Sequence, residues 1–137
     1  VIAAYQQLGF KIVVDPSVNY SGYFDARSRS ITMKQIDDSV YHELGHFLAF
    51  IAGNVDKTAS FQSIFAAEKA NVTAFNKAYV TQNASEYFAE SVKDYILNNA
   101  SLKSTRPQTY AAVQNALNQI TDAQIAKIQK IYGAFWN

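Results

Sequence analysis

Both histidines of the chain fall in one five-residue segment, His42-Glu43-Leu44-Gly45-His46, which reads H-E-x-x-H. On a helix, residues four apart share a face, so the two imidazoles can grip one metal ion. Glu43 then stands beside an open coordination position, where a carboxylate can accept a proton from water. That is the chemistry of a zinc hydrolase, above all of a peptidase. The pattern is short and also arises in helices that bind nothing. Its flanks add weight: Val40, Leu44, Phe47, Leu48 and Ile51 form a stripe near the 3.6-residue period. A buried helix that carries two histidines and a glutamate must supply partners for them.

A catalytic zinc takes three protein ligands and keeps one position open. The chain has no further histidine and no cysteine, which leaves a carboxylate as the third ligand. Asp15, Asp25, Asp37 and Asp38 precede the motif in turns or caps. Asp56 lies just past the motif helix, and Asp122 caps a late one. Glu68, Glu86, Glu90 and Asp94 remain, and the stretch Ser85-Glu86-Tyr87-Phe88-Ala89-Glu90-Ser91 stands out among them. Glu86 and Glu90 are spaced i, i+4 on an otherwise apolar helix. Like charges at that spacing repel by roughly 0.2–0.5 kcal/mol unless a cation sits beside them. The pair is either a solvated acidic face continued by Asp94, or one ligand and its partner. The two histidines favour the second reading. The longer pattern H-E-x-x-H-x-x-G-x-x-H fails, because Ala49 and Ala52 stand where it needs glycine and histidine.

These residues need a scaffold of strands and helices to bring them together. Residues 1–9 read as the end of a helix stopped by Gly9. Lys11-Ile12-Val13-Val14 reads as a strand closed by Asp15-Pro16. Gly22-Tyr23-Phe24 and Ser30-Ile31-Thr32-Met33 read as two more around the turn Asp25-Ala26-Arg27-Ser28. Asp37-Asp38-Ser39 offers N-caps for the motif helix, and Gly53 ends it. A helix over roughly 58–71 turns Phe61, Ile64 and Phe65 inward, followed by a connection that contains Tyr79. Another helix runs over roughly 85–98. Pro107 suits the first turn of the next, and Thr121-Asp122-Ala123-Gln124 is a capping-box pattern for the last. The expected fold is α+β: a small mixed sheet of two to four strands with a zincin-type active-site helix, then a helical C-terminal half.

The 137 residues fit a single domain, 1–137, and 49% hydrophobic content suffices for a core. Val1 reads as the edge of a cut domain or of a mature form. A net charge of +1 argues against nucleic acid as a partner, and no apolar run is long enough for a membrane span. With no cysteine, disulfides and thiolate zinc sites are excluded.

Three blocks carry a resemblance: His42-Glu-Leu-Gly-His46, Ser60-Phe-Gln-Ser-Ile-Phe-Ala-Ala-Glu68 and Ser85-Glu-Tyr-Phe-Ala-Glu-Ser91, with Arg106-Pro-Gln-Thr-Tyr110 behind them. In order and spacing they resemble the zinc metallopeptidase family of anthrax lethal factor and, more closely, the Pro-Pro endopeptidases of clostridia. The resemblance implies that His42, His46 and Glu86 bind zinc (Zn2+) and that Glu43 is the general base. It also implies that Glu90 orients a ligand histidine, and that Tyr79, seven residues before Glu86, meets the oxyanion. It implies export too, to a secreted or cell-surface location. The sequence departs from the family ahead of the motif. Pro-Pro endopeptidases carry a longer loop there, with glycine and tryptophan, whereas this chain has a short link around 19–22 and its sole tryptophan is Trp136. The resemblance therefore does not extend to prolyl-bond specificity.

The expected function is that of a zinc endopeptidase of the gluzincin type. An extended protein or peptide substrate would lie along an edge strand, either residues 22–24 or residues 30–33. Two other readings compete. One is a toxin-like binding module without activity, against which the intact His42, Glu43, His46 and Glu86 set argues. The other is a zinc hydrolase acting on a non-peptide amide.

Overall fold

The computed structural model describes residues 1–136. A short helix, α1 (Ile2–Gln7), is followed by three strands, β1 (Lys11–Val14), β2 (Gly22–Asp25) and β3 (Ser30–Met33). The motif helix α2 (Ser39–Ile51) comes next. After it come α3 (Ala59–Glu68), α4 (Lys77–Val80), α5 (Ala84–Leu97), α6 (Asn99–Thr105), α7 (Pro107–Asn118) and α8 (Asp122–Trp136). The fold is α+β, a small mixed sheet followed by a helical half.

The sheet order is β1-β3-β2, with β3 parallel to β1 and antiparallel to β2. Ile31 and Met33 alternate inward from β3 and are fully buried, as period-2 geometry requires. This order corrects one expectation. Residues 30–33 cannot serve as an edge, because β3 is paired on both sides. Of the two candidate strands, β2 alone has a free edge, and its Gly22 packs against Glu43 of α2.

α2 lies between two apolar cores. Leu44, Phe47, Phe50 and Ile51 join Tyr5, Phe10, Ile31 and Met33 in the first. Leu48, Ala49 and Ala52 join Phe61, Tyr87, Phe88 and Val113 in the second. Trp136 packs against the first core and donates its indole N–H to the Ala26 carbonyl at 3.0 Å, which ties α8 to the turn after β2.

Local details differ from the pattern-based expectations in instructive ways. Asp38 occupies the cap position of α2, but Asp37 makes the bond, accepting the Ser39 N–H at 3.0 Å. The region 58–71 is α-helical only to Glu68 and closes with a 3-10 turn, Lys69–Asn71. Tyr79 lies on the short helix α4 rather than in an irregular connection. Residues 99–105 form a separate helix, α6, that the sequence pattern does not mark; Asn98 leaves helical geometry (φ −135°, ψ 47°) and divides it from α5. At the start of α8, Thr121 Oγ1 accepts the Gln124 N–H at 3.2 Å. The Gln124 side chain does not return the bond. It donates instead to the Ile51 carbonyl at 2.8 Å, at the end of α2.

Candidate metal centre

α2 and α5 cross at a point set by a glycine. A Cβ built on Gly45 would fall 2.6 Å from the Ala89 carbonyl oxygen and 2.7 Å from Ala89 Cα, closer than real atoms approach. The backbones therefore meet at Gly45–Ala89. His42 and Glu86, one turn before this point, and His46 and Glu90, directly after it, face each other across the two helices. Gly45 was not singled out from the sequence. The signal was available, because a glycine inside a helix costs about 1 kcal/mol relative to alanine and calls for a packing reason.

Across this crossing, His42 Nε2 lies 2.8 Å from Glu86 Oε2, and His46 Nε2 lies 3.3 Å from Glu86 Oε1. One donor atom from each of His42, His46 and Glu86 lies within 4.8 Å of the others. Two imidazoles and one carboxylate are a donor set used by catalytic zinc. The other nitrogen of His42, Nδ1, lies 2.8 Å from Glu90 Oε1. A carboxylate behind a histidine ligand fixes its tautomer and ring orientation, so the donors present fit a zinc ion.

The electrostatics follow from this packing. Burial disfavours a charged His42, but hydrogen bonds to Glu86 and Glu90 outweigh it and push its pKa up to about 9 in the metal-free protein. Burial also opposes ionisation of Glu86, yet its bonds to His42 and His46 hold its carboxyl well below the ordinary range. Glu90 is likewise held down, by His42 and then by Lys93 and Arg106, against its own burial. Glu43 behaves differently. Burial pushes it up, and the nearby histidines only partly offset this. A carboxyl that is easier to protonate than its neighbours is suited to carrying a proton.

Glu43 packs against β2 at Gly22, where a Cβ would lie 2.9 Å from Glu43 Cγ. Only a residue without a side chain lets the strand come so close to this carboxylate. Glu43, His42 and Tyr79 line one cleft. The Tyr79 ring lies 6.4 Å from that of His42 and is 54% exposed. Burial and the carboxylates of Glu86 and Glu43 raise its phenol pKa. Tyr87, a competing tyrosine, is buried in the second core, and its hydroxyl pairs with Thr109 Oγ1 at 2.6 Å. Tyr41 packs half-buried on the first core.

The other acidic candidates have separate tasks. Glu68 is buried and accepts the N–H groups of Gln108 (3.1 Å) and Thr109 (2.8 Å), capping α7. Asp94 pairs with Arg106 at 2.6 Å. No helix among the described residues is long and apolar enough to cross a membrane.

Two comparisons bear on this geometry. Residues 18–116 match the family model described as anthrax toxin lethal factor, N- and C-terminal domain. The Pro-Pro endopeptidase of Clostridioides difficile (strain 630) is 41% identical over 78 residues, covering 54% of this chain. The match spans 34% of that protein's own length.

Proposed function

The chain belongs to the anthrax toxin lethal factor domain family, and on that premise we propose that it is a zinc-dependent endopeptidase of the gluzincin type. One observation carries the reading: His42, His46 and Glu86 converge within 4.8 Å, with Glu43 in the same helical turn as both histidines. The named activity of the Clostridioides difficile relative agrees with it.

In this reading His42, His46 and Glu86 hold the metal. Zinc bound there supplies Lewis acidity, which brings the pKa of water toward about 7 and polarises the scissile carbonyl. Glu43 takes the proton of the attacking water and delivers it to the leaving amine. The Tyr79 hydroxyl donates to the carbonyl oxygen as negative charge gathers on it. Glu90 holds the His42 ring at Nδ1 and leaves Nε2 for the metal. The substrate lies extended along the free edge of β2, which presents unpaired backbone groups beside Glu43. The reading also carries an exported location, secreted or at the cell surface.

The test is metal analysis of the purified protein, followed by digestion of a peptide library. One zinc per chain, lost in His42→Ala, and peptide cleavage by the wild type are expected. Glu43→Ala should keep zinc and fold while losing activity by roughly 10²–10⁴-fold or more. Stoichiometric zinc in His42→Ala, or wild-type turnover in Glu43→Ala, overturns the assignment.

A further inference from the structure

The proposed chemistry makes no use of Asp56, yet this carboxylate is only 4% exposed. A buried charge needs partners, and the hydroxyl of Ser85 donates to it. Among the described residues it forms no ion pair; Lys57, next to it, stays exposed.

The chain goes to some length to put Asp56 there. After α2, Gly53 (φ +83°) and Asn54 (φ 58°) both take left-handed backbone and reverse the chain. Space around Gly53 is open, so the positive φ, not crowding, makes glycine the fitting residue. A 3-10 turn, Val55–Lys57, then lays Asp56 against the first turn of α5. Helix N-termini carry unsatisfied N–H groups and favour negative charge. Ser85 immediately precedes Glu86, whose own N–H donates to Asn83 Oδ1 at 2.8 Å. The turn that bears Glu86 is thus held at Asn83 and again at Ser85. Asp56, Ser85 and His46 border the same small cavity of about 150 Å3, so the second hold closes beside His46.

We infer that Asp56 is a positioning residue for the third ligand: through the Ser85 hydroxyl it ties the end of α2 to the start of α5 and sets Glu86 where it meets both histidines. The inference rests on Glu86 being a ligand. Its physical basis is pre-organisation. A ligand on the first turn of a helix sits where helices fray, and a turn ordered beforehand need not be ordered when the metal binds.

The experiment measures zinc affinity by competition with a chelator for the wild type, Asp56→Ala, Ser85→Ala, the double variant and Asp56→Asn. Apoprotein melting and amide exchange at Glu86 and Tyr87 are measured alongside. Each alanine variant should lose roughly tenfold in zinc affinity, the scale of other outer partners of metal ligands. The double variant should lose no more than either single, because all three cut the same link. Asp56→Asn keeps an oxygen for the Ser85 hydroxyl and should stay within about threefold of wild type. In the metal-free alanine variants the Glu86 and Tyr87 amides should exchange faster. Unchanged zinc affinity with lowered melting temperature would reduce Asp56 to a structural role and overturn the inference. So would an Asp56→Asn as weak as Asp56→Ala, or losses that multiply in the double variant. A wild type that binds no zinc defeats the proposed function instead. In that case metal-free exchange still decides the link, and unchanged rates in Ser85→Ala defeat it.

Discussion

Glu90 Oε1 lies 2.8 Å from His42 Nδ1, on the opposite side of the ring from Glu86, whose Oε2 lies 2.8 Å from Nε2. The distances are equal, but the roles differ. Glu86 alone also reaches His46, so Glu86 shares a centre with both histidines and Glu90 grips only the back of one. Glu90→Ala should weaken zinc binding by about 10–100-fold, and Glu86→Ala by more. Chelator competition on the two variants side by side checks the order; the reverse order would mean that the two glutamates exchange roles.

Tyr79→Phe should lower kcat and kcat/KM together by roughly 10²–10³-fold, the usual cost of removing one oxyanion donor. Its ring borders the cleft beside His42 and packs in neither core, so zinc content, fold and KM should stay close to wild type. Steady-state kinetics on any cleaved peptide decide the matter: an unchanged kcat removes Tyr79 from the chemistry.

Gly45→Ala should be costly although alanine favours helix. The new methyl meets the Ala89 backbone at 2.6–2.7 Å, and backbone cannot rotate away. Overpacking typically costs 1–3 kcal/mol, and a loss of about 3 kcal/mol is expected here. Thermal melting of the metal-free variant measures it. Zinc affinity should fall as well, since spreading α2 from α5 draws Glu86 and Glu90 away from His42. A variant as stable as wild type would show that the crossing is not as tight as described.

Asp37→Ala should cost about 1 kcal/mol at neutral pH, within the range for a lost N-terminal cap. Hydrogen bonds from the Ser39 hydroxyl and N–H hold the Asp37 carboxyl below its ordinary value of 3.8. A depressed folded-state pKa stabilises above the unfolded value and ceases to do so as pH falls through the folded one. The gap between wild type and Asp37→Ala should therefore be constant near neutrality and close only at pH below 3.8. Urea melts of both proteins across that range test the sign.

The ligand-bearing segments were legible in the sequence because their signals are local. His42 and His46 share a helix face by spacing alone, and so do Glu86 and Glu90. Scarcity helped, since with two histidines and no cysteine few ligand sets were open. The three strands could be read from β-branched and aromatic runs between turn residues. Sheet order could not, because nothing within 30–33 says that it lies between the other two strands. Gln124 illustrates the same limit. It fits a capping box by pattern, but the carbonyl of Ile51, 73 residues away in sequence, takes its amide. In sequence Asp56 shows only as an acidic residue just past the motif helix, for the same reason. Its partner is Ser85, and only the two left-handed residues before it bring the pair together.

α2 completes two cores at once, through Leu44, Phe47 and Ile51 on one side and Leu48, Ala49 and Ala52 on the other. Opening either core strips apolar surface from the helix that closes the other, so neither half has a denatured state of its own. Heat or denaturant should therefore take the protein apart in a single transition rather than by halves. The same shared wall should make α2 the last segment to release its amide hydrogens, which would place the histidine-bearing helix in the slowest-opening part of the molecule.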